Sequence, residues 1–155
     1  MLHIYVGGLL VPVPKDIGIN PATRQEASLH THDRTGIIHM EAAHPYRFTL
    51  GEFFAVWGVK LGPAQVGGLT GLGGDHLHFY LNGRLLSNPA AHVLRKGDSV
   101  VIGYGAEGTF PHDPSTVLLK EVEKGEGGLG CSSAKRGKGS HGCSVPKSST
   151  TSSAQ

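Results

Sequence analysis

Ten of the 155 residues are histidine, and three of them share one short segment with a glutamate. That segment, residues 28–41, reads Ser-Leu-His-Thr-His-Asp-Arg-Thr-Gly-Ile-Ile-His-Met-Glu. Neutral imidazole is the commonest metal ligand in proteins, so the first chemistry to test here is metal binding. His30 and His32 are two apart, which on a strand puts them on the same face. Asp33-Arg34-Thr35-Gly36 suits a type I turn, with Asp first and Gly last. A tight hairpin at that turn opposes His32 to Ile37 and His30 to His39. His30, His32 and His39 then share one face, with opposed Cβ atoms about 4.5–5.5 Å apart. Their nitrogens can meet at the roughly 2.0–2.1 Å that zinc requires. A three-residue loop with a bulge at Gly36 instead slips the pairing by one and opposes His39 to Thr31, which removes it from the cluster. An exposed polar hairpin face with no ion is the simpler alternative.

The other candidate groups are weaker. Glu41 falls on the face of His39, one step further along, where it could orient a ligand or act as a general base toward metal-bound water. Asp33 is explained by its turn position, where a carboxylate bonds its own backbone. His76 and His78 form a second His-x-His without a third ligand nearby. His3 or His78 could complete the coordination sphere of His30, His32 and His39 if their hairpins flank that ribbon. His44, His92 and His112 read as surface residues. The run Gly67–Gly74 fails as a phosphate loop, because no Gly-Lys-Ser/Thr follows and the next element reads as a strand; it reads as a flexible loop. No Gly-x-Ser-x-Gly elbow marks a serine nucleophile.

The elements that must position these groups follow from pattern. Leu2–Leu10 and Leu77–Leu86 repeat each other at a constant offset, sharing Leu, His, Tyr, Gly and a closing Leu-Leu. Each copy reads as a strand, a two-residue turn and a returning strand. Gly7-Gly8 and Asn82-Gly83 supply the positive φ of type I′ turns. Between the copies, Thr49 and Glu52 form a capping box, with Phe48 and Phe53 placed as a hydrophobic staple. Leu50, Phe53, Phe54 and Trp57 make one apolar stripe, and Gly58 is the stop. Ser99–Tyr104 is the last strand, and 115–122 reads as an added edge strand. This is an α+β pattern: a mainly antiparallel sheet of two similar hairpins with one short packed helix, compatible with a β-grasp-like arrangement.

Residues 1–124 are expected to form the single domain. From Gly125 to Gln155 the chain is mostly Gly, Ser and Thr with a few lysines, too poor in apolar groups to offset its ordering entropy, and it reads as a disordered tail. Cys131 and Cys143 lie there; they could close a loop, join His141 on a metal, or stay reduced, and their spacing matches no zinc signature. The tail carries the basic excess, so the formal net charge of +2 gives no strongly basic surface for nucleic acid. No apolar run reaches the roughly 18 residues of a membrane helix, and Met1–Tyr5 reads as no signal peptide.

Leu29-His30-Thr31-His32-Asp33, Gly36-Ile37-Ile38-His39-Met40-Glu41 and Phe48-Thr49-Leu50-Gly51-Glu52-Phe53-Phe54-Ala55-Val56-Trp57-Gly58-Val59 together resemble a bacterial family without an assigned activity. The resemblance spans roughly residues 2–105. Members often follow an N-terminal membrane anchor, which implies an extracytoplasmic domain. The expected function is transition-metal binding, zinc or copper, through His30, His32 and His39 with Glu41 in support, for metal handling or as a metal-stabilised module. The alternatives are a zinc-water hydrolase or lyase using an open coordination position, and a metal-free adaptor for a protein partner.

Overall fold

Two pairs of left-handed residues set the frame of the molecule. Gly7 and Gly8 have φ +56° and +82°, and Asn82 and Gly83 have +49° and +78°, the signature of type I′ turns. They fold β1 (Leu2–Val6) onto β2 (Leu9–Val11), and β10 (Leu77–Leu81) onto β11 (Arg84–Leu85). In the computed structural model, which describes residues 1–74 and 76–114, the hairpins are not adjacent. β12 (Val100–Tyr104) lies between them, parallel to β1 and antiparallel to β10. The sheet order is β11-β10-β12-β1-β2, with the first and last strands parallel at the centre. That is the β-grasp order, in an α+β fold whose other strand pairings among the described residues are antiparallel, with an isolated parallel bridge between Leu72 and Leu77. The tail 125–155 with Cys131 and Cys143, and the expected strand 115–122, lie outside the described residues.

One sheet face carries the main core. Leu2, Ile4, Leu77, Phe79, Val100 and Ile102 pack against Leu50, Phe53 and Phe54 of α1 (Leu50–Trp57). Each fully buried Phe or Leu stabilises the fold by roughly 1.5–3 kcal/mol, so this face holds the short helix in place. The helix ends as its sequence predicts. Thr49 N–H donates to Glu52 Oε2 at 2.7 Å, and Glu52 N–H donates to Thr49 Oγ1 at 3.2 Å. Gly58, at φ +75°, closes the C-terminus. Phe48 packs on the same core as Phe53.

The opposite face is smaller: Tyr5, Tyr80 and Val101 under Phe110. Phe110 follows the 3₁₀ turn Glu107–Thr109 and crosses β12 at Gly103, where a Cβ would stand 2.1 Å from its Cζ. The glycine in the middle of that strand makes room for the ring.

The remaining strands are short. β3 (Ile19–Asn20) pairs β4 (Gln25–Glu26), β5 (Leu29–His30) pairs β6 (His39–Met40), and β7 (Leu61–Gly62), β8 (Gln65–Val66) and β9 (Leu69–Thr70) form a meander. Gly67-Gly68 is the tight turn between β8 and β9, so the start of the glycine-rich run is a sheet turn rather than a flexible loop. β5 packs against α1, and Leu29 enters the core beside the helix.

Candidate metal centre

The pairing that brings two histidines together is the one the spacing predicts. Leu29 opposes Met40 and His30 opposes His39. The ladder stops there, and the expected pairing of His32 with Ile37 does not form. Thr31 turns its backbone elsewhere: its N–H donates to Ile17 O at 3.1 Å, and its carbonyl accepts from Asp16 N–H at 2.9 Å. Its hydroxyl donates to Pro14 O at 2.9 Å and accepts from Ile17 N–H at 3.1 Å. Four bonds to residues 14–17 draw the chain out of the ribbon after His30. The returning arm is fixed by Gly36, whose carbonyl accepts from Leu2 N–H at 2.7 Å. Gly36 has φ +80°, and a Cβ on it would stand 2.0 Å from Leu2 O. His32 therefore reaches the cluster from a bend held at both ends by the main fold.

The three rings converge. His30 and His39 lie nearly parallel, 11° between planes with centroids 5.3 Å apart. His32 stands edge-on to both, at 4.7 Å from His30 and 4.6 Å from His39. One ligating nitrogen from each ring lies within 4.8 Å of the other two. His30 is the buried member, 1% exposed. Its Nδ1 lies 2.8 Å from Ala27 O; a carbonyl only accepts, so Nδ1 carries the proton and Nε2 presents its lone pair. That Nε2 stands 3.1 Å from His32 Nε2. Two nitrogens on one tetrahedral ion at 2.0–2.1 Å are about 3.3–3.4 Å apart, so the ring separation suits shared ligation as well as a direct N–H···N bond. The Ala27 carbonyl has the place of the outer partner that orients metal-bound histidines.

Carboxylates surround the cluster. Asp33 Oδ1 accepts from Thr35 N–H at 2.8 Å and from the Thr35 hydroxyl, the local turn bonding its position suggested. Those two bonds, the hydroxyl first, hold its carboxyl below the usual range. Glu41 extends the ribbon register by one bond, its N–H donating to Ser28 O at 2.8 Å. Its carboxylate joins a second group with Glu26 and His30, again within 4.8 Å. Glu26 Oε2 stands 3.8 Å from His30 Nε2. Glu26 lies only four positions before His30, a spacing that brings the two side chains together because the chain bends at Ser28, between β4 and β5.

His3 and His78 do not join this centre. Along β1 and β10 they alternate with Leu2, Ile4, Leu77 and Phe79, which face α1, so both point to the opposite side of the sheet. His78 Nε2 bonds Gly74 O at 3.0 Å, and burial keeps the His3 imidazole below its ordinary pKa, with the nearby N-terminal charge adding to the effect. Two histidines read as surface residues have partners instead. His92 Nε2 meets Asp98 Oδ2 at 2.8 Å, with both side chains little exposed. The His112 ring stacks on Tyr80 at 4.0 Å and 9°.

No protein family, curated protein or solved structure matches this chain.

Proposed function

We propose that this protein is a transition-metal-binding domain whose ligands are His30, His32 and His39. The observation that carries the reading is the convergence of three imidazole nitrogens within 4.8 Å of one another. One of those rings is buried and held in the ligating tautomer by a backbone carbonyl. The donor set supports zinc or copper, since imidazole suits both. When bound, the ion supplies a cross-link between the two arms of the 31–38 loop, and the chain supplies a partly buried, prearranged cage. The role that follows is metal handling, or metal stabilisation of a domain that presents its surface to a partner.

The test is metal content and affinity of untagged protein with Cys131 and Cys143 replaced by Ser, so that thiolates do not compete. One zinc per chain is expected, with His39→Ala weakening the affinity at least about 100-fold. Unchanged stoichiometry and affinity in His39→Ala contradicts the reading.

A further inference from the structure

His30 belongs to two overlapping groups of donors, His30–His32–His39 and Glu26–His30–Glu41, and its Nε2 is the atom that faces His32 Nε2 and Glu26 Oε2. Because Nδ1 is committed to Ala27 O, His30 offers a single lone pair and can hold a single ion. The two groups are therefore two sides of one centre, not two sites. Three neutral imidazoles leave a divalent ion with its full charge and one tetrahedral position unfilled. On the carboxylate side, Glu26 Oε2 stands 3.8 Å from His30 Nε2. That is within about half an ångström of the separation between two ligands on one tetrahedral ion. Glu26 is exposed and on a two-residue strand, so its side chain has room to cover that distance. Two carboxylates held this close repel each other, and a cation between them and the imidazoles relieves that repulsion.

Resting on the metal-binding reading above, we propose that Glu26 is the fourth ligand and that the centre is a closed His₃Glu site for a divalent cation. Glu41 stands beside it and adds negative charge without ligating. A hard carboxylate oxygen beside three imidazoles suits Zn²⁺, Co²⁺ or Ni²⁺ over the soft Cu⁺ ion, which favours sulfur donors. A sphere filled by protein ligands is the structural kind rather than the catalytic kind. Such a sphere holds the metal and leaves no position for an activated water.

The experiment uses Co²⁺ as the probe, on the full untagged chain carrying the two Cys→Ser changes. Wild type is expected to give the intense visible bands of a tetrahedral complex. Glu26→Gln is expected to shift and weaken those bands and to lower Co²⁺ affinity at least about tenfold, with Glu41→Gln changing affinity less than about threefold and leaving the bands in place. Far-ultraviolet circular dichroism checks that each variant is folded, and Glu26→Asp, which keeps a carboxylate, is expected to recover part of the affinity. Wild-type bands and affinity in Glu26→Gln, with binding lost in His39→Ala, overturn the inference and leave the three-histidine reading standing. Lost bands in Glu41→Gln but not in Glu26→Gln overturn the assignment to Glu26. No Co²⁺ uptake by wild type overturns the three-histidine reading and this inference with it.

Discussion

His30 and His39 occupy directly opposed positions on β5 and β6, their rings stacked 11° from parallel. A two-residue ladder is too short to hold such a pair by itself. What holds it is the anchoring of the loop on either side, through Thr31 to residues 14–17 and through Gly36 to Leu2. The histidine cluster and the main sheet are thus mechanically joined.

Gly36→Ala tests that joint. Its positive φ and the contact with Leu2 O predict a loss of about 2 kcal/mol or more, with a fall in Tm of about 10 °C. Gly58→Ala is the control. It shares the left-handed backbone but has nothing within 4 Å of the new Cβ, and is expected to cost about 1 kcal/mol. Thermal melts of the two variants give the comparison, and zinc affinity is expected to fall only in Gly36→Ala.

Metal binding is expected to stabilise the fold. Free zinc at about a thousand times its Kd adds about 4 kcal/mol if the unfolded chain does not bind it, which raises Tm by about 10–20 °C. Calorimetric scans with and without chelator measure this, and His39→Ala is expected to show no such difference.

The capping box gives an acid-side prediction. Glu52 accepts from Thr49 N–H, from the Tyr46 hydroxyl and from the Thr49 hydroxyl, and these bonds hold its carboxyl below the usual range. A depressed folded pKa means that the contribution is present above the ordinary glutamate value of about 4.3. It is lost as pH falls through the lower folded value. Glu52→Gln is therefore expected to flatten the decline of Tm below the ordinary glutamate value of about 4.3. Thr49→Ala is expected to cost about 1 kcal/mol at neutral pH.

On the other face, burial and the hydrogen bond to Glu107 push the Tyr80 phenol up to about 12. The neutral form is favoured in the fold, so the contribution is present below the ordinary tyrosine value of about 10 and is lost as pH rises through the folded value. Ultraviolet titration is expected to show a late tyrosine transition near 12 that vanishes in Tyr80→Phe.

The parts of this architecture that are legible in the sequence are those fixed by local chemistry. The Thr49–Glu52 box, the Leu50, Phe53 and Phe54 stripe, the Gly58 stop and the two type I′ turns each depend on neighbours within a few residues. The His30–His39 pairing agrees with the turn spacing, although the loop that delivers it is held by the distant partners of Thr31 and Gly36. What escapes is set by distant partners. The parallel pairing of β1 with β12 joins residues about a hundred positions apart, and no local pattern marks it. The early end of the β5–β6 ladder depends on Thr31 meeting residues 14–17. The positions of His3 and His78 relative to the trio depend on how separate hairpins pack.

X-ray absorption of the zinc-loaded chain reads out whether His30, His32 and His39 share a single ion. Multiple-scattering features of three imidazoles are expected, with Zn–N at about 2.0–2.1 Å, falling to two in His39→Ala. A spectrum of oxygen or sulfur ligands with fewer than three imidazoles contradicts that shared ligation.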